Sequence, residues 1–85
     1  MRAIIVDLNA LDDLAWWTKT EKRIAQRIIK LIRLSAKDPF GGIGKPEPLK
    51  YELRGAWSRR INQEHRLVYE VTDKSIRILA CRYHY

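Results

Sequence analysis

The sequence has one cysteine and no long apolar run, and each shortage excludes a class of protein. A single thiol, Cys81, cannot form a disulfide within the chain. No apolar stretch approaches the ~18 residues that a membrane span needs. Because Met1-Arg2 lead directly into a strand-like segment, we expect no signal peptide. We therefore expect a cytoplasmic protein that associates with no membrane.

Recognisable nucleotide and metal motifs are also missing. The glycines between positions 41 and 44 lead into Lys45-Pro46, and no helix follows that could receive a phosphate. The metal-ligand candidates are His65, Cys81 and His84, and their spacing matches no common metal motif. We expect neither a metal nor an organic cofactor, and we expect Cys81, within an apolar run, to be buried and inert.

Positive charge is present in excess. The net charge is +7, from 17 basic and 10 acidic residues. From Lys19 to Lys37 there are seven basic residues and one acidic residue, Glu21. Net charge concerns partners rather than fold. By charge alone, nucleic acid ranks first as a partner, an acidic protein second and an anionic membrane surface a distant third.

The order of the predicted elements indicates one α+β domain, covering residues 1–85. Asn9 is predicted to cap a short helix that ends near Trp17, and Thr18 or Thr20 to cap a longer amphipathic helix. The second helix ends before Pro39. Strands are predicted at Arg2–Val6, Leu49–Leu53, Ala56–Ile61, Arg66–Val71 and Ile76–Arg82, with an irregular loop at Pro39–Pro48.

Strand pairing predicts which residues share a face of the sheet. Pairing Val71 with Ile76, and Ile61 with Leu67, makes a mostly antiparallel, twisted sheet on which the two N-terminal helices pack. The predicted core face holds Leu67, Tyr69, Val71, Ile76, Ile78 and Ala80. Arg60 and Arg66 then lie together on the open face. We also expect Trp57, and at least one of Trp16 and Trp17, to pack in the core.

Three groups of residues have side chains suited to RNA chemistry. Glu47 lies between two prolines, which would hold its carboxylate rigidly for acid–base work. Arg60 and Arg66 form a phosphate-sized patch. Lys50 is expected near it, and Arg59 is also predicted to bind phosphate. Arg82–Tyr85 combine a guanidinium, an imidazole and two phenols. The simpler alternatives are a turn facing water, a solvated charged face and a frayed tail.

These segments, taken together, resemble the YoeB/Txe-type toxins of the RelE superfamily. The resemblance runs from about Trp17 to the last residue and is weakest over residues 1–15. Its motifs are Lys45–Lys50, Trp57–Ile61, Glu64–Tyr69 and Ala80–Tyr85. It implies a fold similar to microbial ribonucleases and a bacterial toxin that cleaves mRNA in the A site of the 70S ribosome. It also implies an acidic antitoxin of the YefM kind as a partner, and it makes a homodimer plausible.

The resemblance implies a role for each matching residue. Glu47 matches the general base, Arg66 the phosphate-stabilising arginine and His84 the general acid. Tyr85 matches the tyrosine that orients RNA, while Lys50 and Arg60 match supporting basic positions. Such a site would cleave RNA without a metal, through the 2′-OH, and leave a 2′,3′-cyclic phosphate or a 3′-phosphate.

Strand alternation conflicts with this site. Unbroken alternation puts His84 on the core face and Tyr85 on the face of Arg66. We therefore predict that regular pairing ends near Arg82 and that a twist, a bulge or an edge position frees His84. Two other functions stay open: a non-catalytic module that binds RNA or DNA, and a basic partner of an acidic protein.

Overall fold

The computed structural model describes residues 1–51 and 54–83, and within these ranges the chain forms two helices and five strands. The first strand, β1 (Ala3–Val6), precedes helix α1 (Leu8–Thr20) and helix α2 (Lys22–Lys37). The later strands are β2 (Glu47–Pro48), β3 (Ala56–Arg60), β4 (Arg66–Val71) and β5 (Ser75–Ala80). The predicted order β-α-α-β-β-β-β is confirmed.

The described strands form one five-stranded sheet in the order β1-β5-β4-β3-β2. Strand β1 pairs in parallel with β5, and the other neighbours are antiparallel. The two helices that follow β1 pack on one face of this sheet, which gives the predicted α+β architecture. Neither helix in the described ranges is long and apolar enough to cross a membrane.

The main core lies between the helices and the sheet. Its buried members are Ala10, Trp17, Ala25, Ile28, Leu31, Ala36, Ile61, Leu67, Tyr69, Ile76, Ile78 and Cys81. Helix α2 contributes residues spaced three and four apart, as its amphipathic pattern predicts. A smaller cluster of Ala56, Val68 and Ala80 lies apart from this core, with Leu49 and Leu79 packed against it.

Helix α1 has different ends from those predicted. Asn9 does not cap it: the Asn9 side chain lies in the first turn, and its Nδ2 donates to the carbonyl of Leu79 at 3.1 Å. The hydroxyls of Thr18 and Thr20 donate to helix carbonyls three and four residues earlier, so neither caps α2. The break between the helices is at Glu21, whose backbone is extended with φ −154° and ψ 95°.

Register in the β3–β4 pair differs by two residues from the prediction. The partners are Arg60 with Arg66 and Arg59 with Leu67, rather than Ile61 with Leu67. Because side chains alternate with a period of two, a shift of two residues leaves every side chain on its predicted face. Arg60 and Arg66 are therefore directly opposite each other. In the β4–β5 pair, the predicted partnership of Val71 with Ile76 is confirmed.

A bulge interrupts β5 at Leu79. Tyr69 pairs with Ile78 and Val68 pairs with Ala80, so two steps along β5 match one step along β4. The extra residue reverses the alternation, which puts Ala80 in the smaller cluster rather than on the predicted core face. Regular pairing ends at Ala80, two residues before the predicted end. A bulge therefore breaks the alternation, as predicted, but at Leu79 rather than near Arg82. His84 and Tyr85 themselves lie outside the described residues.

The edge strand β2 was predicted in the wrong place. Instead of Leu49–Leu53 it comprises Glu47–Pro48, which pair with Ser58 and Trp57 inside what was predicted as loop. Proline is tolerated on an edge strand because its missing N–H is not needed by a further neighbour. Leu49 adds one more bond to Ala56, from N to O at 2.9 Å. Residues 52 and 53 lie outside the described ranges.

Arg59 organises the loop between α2 and β2 from inside the protein. Its side chain is fully buried, and its guanidinium donates to the carbonyls of Ile43 at 3.0 Å, Asp38 at 2.9 Å and Gly41 at 2.9 Å. Gly44 has φ +90°, and a Cβ there would lie 2.5 Å from the Arg59 Cγ. The loop is therefore closely fitted to the arginine.

This burial corrects the phosphate-binding role predicted for Arg59. Its residue exposure is 0%, whereas Arg60, the next residue along β3, is exposed. Its two terminal nitrogens donate to backbone carbonyls, which would otherwise be unsatisfied, whereas its buried Nε has no hydrogen-bond partner among the described residues. Arg59 thus supports the loop that leads to Glu47, while Arg60 remains on the open face.

We predict that Arg59→Met lowers the free energy of unfolding by about 3 kcal/mol, because buried carbonyls lose charged donors. The matched control is Arg60→Met on the same strand, which should cost less than about 1 kcal/mol because its side chain is exposed. Urea unfolding of both variants measures the difference. Equal losses would contradict the supporting role of Arg59.

Candidate active site

The edge formed by β2, β3 and β4 brings a carboxylate and a guanidinium together. An Arg66 Nη2 lies 3.6 Å from Oε2 of Glu47. The Arg66 Nε–H donates to Oγ of Ser58 at 2.9 Å, and Ser58 is the strand partner of Glu47. The Arg66 side chain is 18% exposed and that of Glu47 63%. The cation is therefore held in place, while the carboxylate is open to solvent.

Two arginines face each other at this edge. The backbone N–H of Arg60 donates to the carbonyl of Gly44 at 2.7 Å, and that of Arg66 donates to the carbonyl of Tyr83 at 2.8 Å. Like charges directly opposite in a sheet repel each other. Among the described residues, Glu47 is the carboxylate paired with Arg66. The geometry thus favours a further anion at this edge, and arginine pairs suit phosphate.

The loop upstream and the β2–β3 pairing together position Glu47. Lys45 has φ 49°, an unusual value for a residue with a side chain. Pro46 and Pro48 then restrict the backbone on both sides of the glutamate. Lys50 is exposed beyond the end of β2, and within the described ranges no hydrogen bond or ion pair joins it to Glu47 or Arg66.

Helix α1 fixes the residue that follows β5. The Cys81 N–H donates to Oδ2 of Asp13 at 3.1 Å, and the Cys81 carbonyl accepts from Nε1 of Trp17 at 2.9 Å. The thiol contacts the carbonyl of Ala10 at 3.5 Å. Burial, and then the negative charge of Asp13, raise the pKa of the Cys81 thiol to about 12. The prediction of a buried cysteine is confirmed, and a thiol with this raised pKa is protonated at neutral pH.

Arg82 lies against aromatic rings. The centre of its guanidinium is 3.6 Å from the ring centroid of Trp16 and 4.8 Å from that of Tyr83. A cation over an indole face is attracted by the ring quadrupole. Trp16 is 37% exposed and Trp17 is 3% exposed, so the prediction that at least one of them is core is confirmed. Trp57 also packs as predicted, as a partly buried member of the main core.

The start of β4 holds Tyr83. The Tyr83 N–H donates to Nδ1 of His65 at 2.6 Å, and the Tyr83 carbonyl accepts from the backbone N–H of Arg66 at 2.8 Å. Tyr83 has φ 64°, in the left-handed region. The residue before His84 and Tyr85 is therefore fixed beside Arg66, although those two residues lie outside the described ranges.

Sequence reasoning missed two residues that shape this edge, Ser58 and His65. Ser58 shares the strand parity of Arg60 and Arg66, so alternation could have identified it. His65 was considered only as a metal ligand, and its contact with Tyr83 depends on a backbone conformation that no sequence pattern shows. Within residues 1–51 and 54–83, no group of three or more His, Cys, Asp or Glu side chains could hold a metal ion.

Comparisons with known proteins agree with this architecture. A family model described as the YoeB-like toxin of bacterial type II toxin-antitoxin systems matches residues 6–85. Toxin YoeB of Escherichia coli K12 is 60% identical over 74 residues, or 87% of this chain and 88% of that protein. Toxin RelK of Mycobacterium tuberculosis is 49% identical over 85 residues, which are 100% of both chains.

Solved structures give the same result. The YoeB/ParE toxin from Agrobacterium tumefaciens superposes with a TM-score of 0.92 at 41% identity, over 98% of this chain and 99% of that chain. A YoeB dimer and a YoeB–YefM complex from Staphylococcus aureus give TM-scores of 0.89 and 0.87, each at 41% identity. They cover 99% and 100% of this chain, and 98% and 99% of their own. The chain therefore belongs to the YoeB-like toxins of bacterial type II toxin–antitoxin systems, and the resemblance seen in its sequence is confirmed.

We predict that Cys81 makes stability depend on alkaline pH. Its pKa is raised from 9.0 to about 12 in the folded state. The thiol contribution is thus fully present below pH 9 and is lost as the pH rises toward 12, by up to about 1.4 kcal/mol per pH unit. Denaturant unfolding between pH 9 and 11 should therefore show a steeper loss for wild type than for Cys81→Ala. Parallel curves would contradict a buried neutral thiol.

Proposed function

We propose that this toxin is an endoribonuclease that cleaves mRNA in the A site of the 70S ribosome. The observation that carries the proposal is the pairing of an exposed Glu47 carboxylate with a held Arg66 guanidinium, 3.6 Å apart, opposite a second arginine. Membership of the YoeB-like toxins supports it. RNA supplies both the phosphate that suits the arginines and the 2′-OH that suits the carboxylate.

The reaction divides among four residues. Glu47 removes the proton from the 2′-OH, and the 2′-oxygen attacks the adjacent phosphorus. Arg66 stabilises the negative charge that grows on the non-bridging oxygens, with support from Arg60. The bond to the 5′-oxygen breaks as His84 donates a proton to it. The products are a 2′,3′-cyclic phosphate, which water can open to a 3′-phosphate, and a free 5′-OH. No step needs a metal.

Contacts around Arg66 support its role as the phosphate-stabilising group. Its Nε is committed to Ser58, which fixes the plane of the guanidinium. Both Nη groups then remain for Glu47 and for a phosphate. A guanidinium oriented before substrate arrives has little reorganisation left to make in the transition state. Lys50 adds positive charge near the end of β2, and Tyr85 would orient the RNA bases by stacking.

The proposal also extends to partners. Staphylococcus aureus YoeB has been solved as a dimer and in complex with YefM. By that similarity we propose that an acidic YefM-like antitoxin binds this basic chain in the bacterial cytoplasm, and that the free toxin forms a homodimer. The net charge of +7 favours an acidic partner.

We predict that Glu47→Gln and His84→Ala each lower the cleavage rate by about 10²–10⁴-fold, because each removes one proton transfer. The matched control for the glutamate is Glu70→Gln, an exposed glutamate on β4, which should cleave at the wild-type rate. The measurement is primer extension on mRNA after induction in a bacterial host. Wild type that binds RNA without cleaving it would instead support the non-catalytic binding module.

Arg66→Ala should lower the rate by about 10²–10³-fold, because charge stabilisation is strongest in the transition state. The effect should appear in kcat more than in KM. A suitable control is Arg77→Ala on β5, whose guanidinium pairs with Asp7 at 3.7 Å, away from the β2–β4 edge. Single-turnover cleavage of ribosome-bound mRNA separates the two parameters. Cleavage by Arg66→Ala at the wild-type rate would contradict the assignment.

A further inference from the structure

We infer that His65 is a positioning residue: its imidazole accepts the Tyr83 N–H and so holds the backbone of Tyr83 beside Arg66. This inference rests on the proposed function, in which His84 and Tyr85 take part in cleavage. It concerns a buried histidine that has no step in the proposed reaction. The relevant contacts join β4, α1 and the chain after β5.

The hydrogen bond to Tyr83 determines the tautomer of His65. Nδ1 accepts the Tyr83 N–H at 2.6 Å, and a ring nitrogen that accepts a hydrogen bond carries no proton. The single proton of the neutral ring is therefore on Nε2. Nε2 lies 3.8 Å from Oε2 of Glu64. A carboxylate on that side of the ring favours the tautomer with its proton on Nε2.

The ring of His65 cannot turn freely to break this bond. It packs edge-on against Trp17, with centroids 4.8 Å apart and an interplanar angle of 90°. The backbone N–H of His65 donates to Oδ1 of Asn62 at 2.8 Å, which fixes the turn before β4. The residue is 8% exposed. Packing and backbone contacts thus aim Nδ1 at Tyr83 before any RNA binds.

His65, just before β4, and Arg66, its first residue, hold the two backbone polar groups of Tyr83. His65 binds its N–H, and the Arg66 backbone binds its carbonyl at 2.8 Å. Tyr83 has φ 64°, a conformation that residues with side chains rarely adopt without external constraint. Because Arg66 is also the proposed phosphate-stabilising residue, one turn positions both that cation and the backbone of Tyr83.

Simple packing would not require a nitrogen at this position. An apolar side chain of similar size could fill the space against Trp17, but it would leave the Tyr83 N–H without its acceptor. Asparagine carries an oxygen on Cγ, where histidine carries Nδ1, and can therefore accept the same bond. The pair His65→Leu and His65→Asn thus separates the acceptor from the aromatic packing, which both variants lose.

The first test is spectroscopic and uses the wild-type chain. Long-range ¹H–¹⁵N spectra should show the proton of His65 on Nε2, and hydrogen exchange should show protection of the Tyr83 amide. In His65→Leu this protection should be lost, and in His65→Asn most of it should return. A proton on Nδ1, or an unprotected Tyr83 amide in wild type, would overturn the inference without reference to activity.

The second test is cleavage of ribosome-bound mRNA. His65→Leu should lower kcat by about 10–10²-fold, the cost of misplacing reacting groups by about an ångström, with KM changed less than about twofold. His65→Asn should recover most of the rate, and thermal unfolding should show that both variants remain folded. Equal activity of the two variants, or wild-type kcat in His65→Leu, would overturn the inference alone. An inactive wild type would refute the proposed function as well.

Discussion

The indole of Trp17 is the contact on which the arrangement of the chain after β5 depends. Its Nε1–H binds the carbonyl of Cys81 at 2.9 Å, and its ring supports His65 from the other side. Through these contacts α1 fixes the path of the chain after β5, and Tyr83 then bonds to His65, just before β4. A buried indole whose N–H has a partner is both large and directional. Trp17 thus joins Asp13 in fixing Cys81, and it supports the imidazole that Tyr83 contacts.

A second buried group, Arg59, does the same for the opposite side of the edge. Its guanidinium shapes residues 38–44 by binding their carbonyls, and the chain leaves this loop at Gly44, bonded to the N–H of Arg60. Glu47 then enters the sheet beside Ser58. The candidate site therefore lies where two irregular segments, each anchored by a buried residue, meet a regular pair of strands. The strands β3 and β4 supply the two arginines, and the loop held by Arg59 leads to Glu47.

The sequence allowed prediction of the parts of the site that depend on strand parity. Arg60 and Arg66 share a face in any register that differs by two residues, so the two-residue error in pairing did not separate them. A break in alternation was predicted near Arg82, but its position at Leu79 was not. The Leu79 carbonyl accepts a hydrogen bond from Asn9, a residue whose local pattern suggested a helix cap. Local preference and tertiary contact competed there, and tertiary contact prevailed.

The burial of Arg59 could not be predicted from its charge either. Adjacent arginines in a strand look equivalent in sequence, but alternation sends one into the core and leaves the other on the open face. The buried position is compatible with a cation only because the loop offers three carbonyls, from Asp38, Gly41 and Ile43. Such an arrangement requires the folded loop, which itself needs positive φ at glycine. Sequence parity placed Arg59 on the core side, yet charge alone suggested phosphate binding.

The exposed charges at the β2–β4 edge explain why one surface could serve both proposed partners. Arg60 and Arg66 are opposite each other with Glu47 as the described counter-charge, so the free fold retains repulsion there. An RNA phosphate relieves that repulsion, and so does a carboxylate from an acidic antitoxin. Because both would act on the same two guanidinium groups, they would compete at this edge.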